Sequence, residues 1–212
     1  MMEADHVLST TRSVRKRLDM QRAVPRELIA ECLQIAVQAP TGGNRQGWQF
    51  VVVTDAAKKA RIGEWYRDSW YRYAAEGRPE YDASDPRHGQ LPRVVNSARY
   101  LADHMGEVPA MLIPCHEGRV DGPGNSNMAI AGLYGSILPA AWSFMLAMRA
   151  RGLGGAYTTL HLRYEKETAE LLGIPYERVT QAALITIGYY TGEDFRPAER
   201  IPLDNIVHWD SW

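Results

Sequence analysis

From Met128 to Met148 the chain carries no charged residue, and a run of that length can cross a bilayer as a helix. Such a segment either spans a membrane or is a helix buried on every side, at a domain centre or a subunit interface. Gly132, Gly135, Ser136, Pro139 and Ser143 interrupt it, and it is the lone candidate in an otherwise polar chain. The buried helix is therefore the favoured reading, and no membrane partner is expected. The chain has 212 residues, of which 45% are hydrophobic and 23% charged. That fits one generous domain, 1–212, able to pack a core.

A formal net charge of -1 removes the global positive field that a polybasic nucleic-acid binder needs, so no nucleic-acid partner is expected. Two cysteines, Cys32 and Cys115, support neither a disulfide framework nor a Cys-rich metal cluster. The opening Met1-Met2-Glu3-Ala4-Asp5-His6 is acidic and lacks the apolar stretch of a signal peptide, which points to the cytoplasm. Eleven Tyr and six Trp stand against three Phe, and these are the aromatics with a polar handle, favoured at interfaces and ligand walls.

Helical spacing of Leu28, Ile29, Cys32, Leu33, Ala36 and Val37 predicts a helix over 25–38, with Pro25 at its first position. Trp48 to Val53 reads as a strand, and Thr54-Asp55 caps a helix from Ala56 to about Tyr73. The segment 76–108 is polar, weakly patterned and broken by Pro and Gly, which predicts an irregular insert: a lid, a binding loop or simply a mobile excursion. A short buried strand follows at Met111–Cys115, then a loop from Glu117 to Asn127. The uncharged helix runs from about Ser126 to Arg151, kinked at Pro139 and ended by Gly152. Tyr164 to Gly173 reads as a short helix, and Val179 to Tyr189 as one near-continuous apolar strand in a sheet covered on both faces. The tail 191–212 is extended and proline-broken. The sum is an α+β fold, a sheet of a few strands covered by helices.

Three segments have residue types suited to chemistry. Arg12, Ser13, Arg15 and their basic neighbours form a donor set matched to a phosphate, or else a solvated basic turn. Gly42 and Gly43 allow close backbone approach, while Thr41, Asn44 and Gln46 offer neutral donors and acceptors for a heterocycle edge. The bland alternative is a helix-to-strand connection whose polar groups satisfy a turn. Gly152 to Thr159 lacks the G-x-G-x-x-G order of a dinucleotide fingerprint. H-E-x-x-H, G-x-S-x-G, P-loop and C-x-x-C motifs are all missing. Adjacent Cys115 and His116 are badly spaced for shared ligation and read as structural, so no metal is expected. His104 and His161 are lone acid–base candidates. If the chain is an enzyme, the difficult chemistry then falls to a bound cofactor rather than to a catalytic side chain.

In order and spacing, these segments resemble the FMN-dependent nitroreductase family, most closely its actinobacterial-type members. The resemblance rests on Arg12-Ser13-Val14-Arg15, on Ala39-Pro40-Thr41 with Asn44, Gln46 and Trp48, on Gly152-Leu153-Gly154, and on Arg200-Ile201-Pro202-Leu203. It implies a homodimeric sandwich with a central mixed or antiparallel sheet, the long apolar helix at the subunit interface and a C-terminal arm, 191–212, exchanged with the partner. It further implies FMN as cofactor and NAD(P)H as hydride donor to flavin N5, with a nitroaromatic, quinone or similar small molecule as acceptor. Arg12, Ser13 and Arg15 would hold the phosphate and ribityl chain, with Arg200 completing the phosphate site. Thr41, Asn44 and Gln46 would surround the flavin, some from the partner, and Tyr157, Thr158 and Thr159 would lie along the isoalloxazine. Arg17 falls outside the matching motif. Thr11, Thr41 and Gly47 stand where the family more commonly has Arg, Ser and Pro. Other chemistries of the family also remain open: deazaflavin-dependent reduction, dehalogenation, flavin fragmentation or non-enzymatic flavin sequestration.

Overall fold

The computed structural model describes residues 3–77, 79–193 and 195–212. Met1 and Met2, Arg78 of the 76–108 segment and Asp194 of the tail lie outside the described residues.

A short helix that the sequence reading did not anticipate, α1 (Ala4–Thr10), opens the structure. The next helix, α2 (Arg26–Ala36), starts one residue later than expected: Pro25 is its N-cap, with φ -58° and ψ 140°. Strand β1 (Trp48–Val53) has the expected bounds. Helix α3 (Ala56–Ala75) is capped by Asp55, whose carboxylate accepts from Lys58 N at 2.9 Å. The 76–108 segment is a correction, because most of it is helical: α4 (Pro86–His104). Asp85 caps it by accepting from Arg87 N at 2.8 Å, and Pro86 fits the first turn. Only Leu101 and Ala102 of α4 are buried, so its apolar periodicity is weak and the internal Pro92 masks the rest.

Strand β2 (Ala110–Glu117) leads through a loop to α5 (Asn127–Ala150), capped by Ser126 and ended by Gly152 at φ 74°. Two short strands, β3 (Leu153–Gly154) and β4 (Tyr157–Thr158), precede α6 (Glu165–Leu172). The apolar run expected as one strand is two, β5 (Val179–Gln181) and β6 (Leu184–Tyr189). Pro114 accounts for the break. It has no N–H to extend the ladder, so β2 pairs β6 through Ala110–Leu112 and β5 through Cys115–Glu117, while Pro114 O accepts from Ala182 N at 2.9 Å.

The strand order is β1-β2-β6-β3, with β4 on β6 and β5 on β2, and every ladder is antiparallel. Helices cover both faces. Met111 and Ile113 of β2 face a core with Ile62, Leu101 and Met105, while Leu112 faces a second core with Ile29, Phe144 and Met148. Alternate side chains of one strand thus feed two cores, which explains why β2 and β6 read as unbroken apolar runs. At β1 the sheet ends.

Candidate functional site

Between α1 and Leu18 the chain runs along the sheet and turns at Lys16 and Arg17, with Val14 and Leu18 buried and the residues between them more exposed. Ser13 pairs with Gly155 in a parallel bridge, and Val14 N donates to Gly155 O at 2.8 Å. On its other side Gly155 lies so close to β6 that only glycine fits: a Cβ would sit 1.7 Å from Thr186 O. Thr186 Oγ1 also accepts from Ala156 N at 2.9 Å, so the strand from Gly154 onward is fixed on β6.

Side chains of this stretch line a cavity of about 320 Å³ formed by Arg12, Ser13, Arg15, Lys16, Arg17 and Arg196, with Val14, Ser97 and Phe195. Among the described residues, no carboxylate lines it. Burial lowers the proton affinity of the Arg12 guanidinium, and the positive charge of Arg200 lowers it further. The two arginines from opposite ends of the chain therefore lie near enough for their charges to interact. Arg15 is also lowered, chiefly by burial, with the Tyr66 phenol acting in the opposite sense. Its guanidinium donates to Ser97 Oγ of α4 at 3.2 Å, and Lys16 Nζ donates to Asn96 Oδ1 at 3.1 Å. The segment expected to be a lid thus supplies one wall.

Strand β4 extends this group. The hydroxyls of Tyr66 and Thr158 hydrogen-bond at 3.0 Å, and Leu160 N donates to Thr158 Oγ1 at 3.4 Å. Tyr157 is half-buried and its phenol is raised by burial and by the neighbouring Tyr134. Thr159 is exposed. Arg17, expected to stand outside, lines the same cavity and donates to Thr191 O at 2.6 Å.

Thr41, Asn44 and Gln46 form a second group. Thr41 Oγ1 accepts from Gln46 N at 3.1 Å, and Gln46 Nε2 donates to Asn44 Oδ1 at 3.0 Å. This loop adjoins a cavity of about 440 Å³ with Gly42, Gly43, Arg45, His116 and the first turns of α5. Among the described residues, no hydrogen bond, ion pair or shared cavity joins it to the arginine group. The departure at Gly47 has a local cause, since a Cβ there would lie 2.8 Å from the His116 ring.

Sequence reasoning missed Tyr66, Ser97, Ser136 and Arg196, which lie on helices or in the tail without any motif. His161 is fully buried, and burial pushes its imidazole down to about 3, so it is neutral and unfit for acid–base work. His104 sits outside on α4, with Nδ1 2.9 Å from Glu107 Oε1. The Cys115 thiol is buried and raised to about 12, which agrees with its structural reading. Among the described residues no group of His, Cys, Asp and Glu is arranged to hold a metal.

The model of the nitroreductase family matches residues 8–189. A protein of Thermus thermophilus named NADH dehydrogenase is 26% identical over 219 residues, covering 96% of this chain and 97% of the relative. Iodotyrosine deiodinase, solved with FMN and 3-iodo-L-tyrosine, superposes with a TM-score of 0.73 at 20% identity, covering 98% of this chain and 99% of that one. An FMN and NADPH-dependent nitroreductase of Sphigopyxis sp. strain HMH gives a TM-score of 0.69 at 23% identity, with both chains fully covered. At these identities the two structures establish a shared fold. The family match spans the arginine strand, the Thr41 loop, the apolar helix and the β4 strand together, and the chain belongs to the nitroreductase family of oxidoreductases.

Proposed function

We propose that the protein is an FMN-dependent NAD(P)H oxidoreductase whose phosphate anchor is the Arg12 cavity. The observation that carries this reading is a cavity lined by Arg12, Arg15, Lys16, Arg17 and Arg196, with no carboxylate among the described residues that line it, and with Arg200 close enough for its charge to act on Arg12. Clustered guanidiniums repel one another, and a dianionic phosphate relieves that repulsion through charge-assisted, bidentate bonds. The donor set therefore fits FMN. Arg12, Ser13, Arg15 and Arg200 would hold the phosphate and ribityl chain, with Tyr157, Thr158 and Thr159 alongside the ring. When bound, FMN supplies hydride acceptance from NAD(P)H and reduction of a small acceptor such as a nitroaromatic or quinone. The chain's own part is to bind, orient and stabilise negative charge, which needs no catalytic acid or base.

The Thr41 loop completes the site from a second copy of the chain. Met128, Ala131, Gly132, Gly135, Leu138 and Trp142 are exposed at helical spacing on α5. Leu203, Ile206, Val207, Trp209 and Trp212 are exposed on the tail, and β1 is an edge strand. Apolar surface on this scale is suited to a homodimer with exchanged arms. Helix α5 is long and apolar enough to cross a membrane, with a mean hydropathy of 1.4. Its inner face, however, packs Ile137, Phe144 and Met148 into the core, which supports the buried-helix reading.

The test is the absorption spectrum of the purified protein, followed by turnover of NADH and NADPH with a nitroaromatic panel. Flavin bands and steady-state turnover are expected. Absence of flavin bands after incubation with FMN would overturn the assignment.

A further inference from the structure

The loop that carries Thr41, Asn44 and Gln46 is held in an unfavourable shape. Gly43, Asn44 and Gln46 have φ of 59°, 52° and 50°. Glycine takes the left-handed region freely and asparagine tolerates it, but glutamine has no such preference. A backbone of this kind persists only where its surroundings fix it.

Two of the bonds that fix it end on one residue of α5. Gly42 N donates to Ser136 Oγ at 3.1 Å, at the start of the loop. Trp48 Nε1 donates to Ser136 O at 2.9 Å, just past its end. Ser136 Oγ in turn donates to Gly132 O at 2.7 Å, so its proton is committed along the helix and a lone pair is left for Gly42. The residue is 4% exposed, which shields these bonds from water. It sits on the inner side of the helix whose outer side carries the exposed apolar residues.

We propose that Ser136 is a positioning residue. It grips both ends of the 41–48 segment and sets the loop that meets the flavin, tying its shape to the helix that packs against the second copy. The proposal rests on the flavin reading of this loop. It predicts that Ser136 governs how the ring is seated, while the phosphate anchor is unaffected.

The test compares wild type, Ser136→Ala, Ser136→Thr and Trp48→Phe, each reconstituted with FMN. Ser136→Ala removes the acceptor for Gly42, and Trp48→Phe opens the other end without altering α5. Both should change the visible circular dichroism of bound flavin and raise the KM for a nitroaromatic about fivefold, the usual worth of one hydrogen bond. Ser136→Thr keeps the hydroxyl and should restore wild-type behaviour. Amide hydrogen exchange at Gly42, followed without flavin, should be faster in Ser136→Ala than in wild type. Unchanged exchange at Gly42 overturns the clamp, whatever the flavin does. Faster exchange with unchanged flavin dichroism and KM overturns the positioning role. If wild type takes up no FMN, the flavin reading fails and the positioning role fails with it, while the exchange result still judges the clamp separately.

Discussion

Arg12 and Arg200 stand near the two ends of the chain, yet the charge of one depresses the proton affinity of the other. Nothing local in sequence links them. The Ser13–Gly155 bridge carries Arg12 along the sheet. The tail returns to that place through Arg17, which donates to Thr191 O, and through Gln90 Nε2, which donates to Glu199 O at 3.4 Å. On the proposed function, these two like charges gathered by separate elements would act as one receptor for an anion.

Arg12→Ala and Arg200→Ala should therefore each weaken FMN binding by roughly 1.5–3 kcal/mol, about ten- to a hundredfold in Kd. Arg17 is a poor control, because it lines the same cavity and anchors the tail. Arg163, paired with Glu76 on another surface, serves instead. Recovery of flavin fluorescence on dilution measures the effect. Release from Arg200→Ala at the rate of Arg163→Ala would remove the tail from the phosphate site.

Subunit contact is tested on the outer face of α5. Trp142 is 44% exposed and Leu138 is 37% exposed, whereas Ile137 beside them is fully buried. Leu138→Glu or Trp142→Glu should leave a folded chain but halve the mass seen by light scattering, from twice 23.8 kDa to one copy. FMN affinity should fall with it, because the Thr41 loop then has no partner site to complete. Ile137→Asp should instead give insoluble protein, since the charge enters the core itself. A wild-type chain that scatters as one copy at low micromolar concentration would refute the arrangement.

Much of this was legible in the sequence, and the failures share a cause. The apolar helix, β1 and the Asp55 cap follow from hydrophobic run, β-branching and capping chemistry, all of which are local. Helix α4 did not show because Leu101 and Ala102 are its only buried residues and Pro92 lies inside it. The split of β5 from β6 was set by Pro114 on a different strand, which no pattern within 179–189 records. Motifs singled out Arg12, Ser13 and Arg15, but Tyr66, Ser97 and Ser136 are ordinary helix residues brought to these groups only by packing. The separation of the Thr41 loop from the arginine cavity is likewise a fact of the fold.

His161 gives the chain a pH dependence. In the folded state its imidazole is pushed down to about 3 by burial, and both ring nitrogens lack hydrogen-bond partners among the described residues. The unfolded chain binds that proton near the ordinary value of 6.5, so below that pH the unfolded state holds more protons than the folded one. Stability is thus intact above about 6.5 and is lost as pH falls toward 3. The loss should amount to about 3 kcal/mol by pH 4. His161→Leu should flatten this part of the profile, because a leucine carries no proton to be excluded. Chemical denaturation of both proteins between pH 7 and pH 4 measures it, and parallel curves would show that the acid sensitivity arises elsewhere.

The strictest steric demand lies behind the arginine cavity, at Gly155. A methyl group there would be placed 1.7 Å from Thr186 O, which is backbone of β6 and cannot turn aside. Gly155→Ala must then distort β6, where Thr186 and Ile187 are fully buried, or shift the Gly155 backbone together with the carbonyl that holds Val14 N. Overpacking of this severity should cost about 3 kcal/mol or more, a fall in Tm of about 10 °C for a chain of this size. The same displacement carries Arg12 and Arg15 away from Arg200, so flavin should be lost even from molecules that remain folded. Gly152→Ala separates the two effects. Gly152 has φ 74° but open space around it, so alanine there should be strained at the helix end without moving the arginine strand. Differential scanning fluorimetry with and without added FMN is the measurement. Gly152→Ala should melt lower yet still gain stability from FMN, whereas Gly155→Ala should gain none. A full FMN-induced shift in Gly155→Ala would show that the close contact with Thr186 does not set the phosphate site.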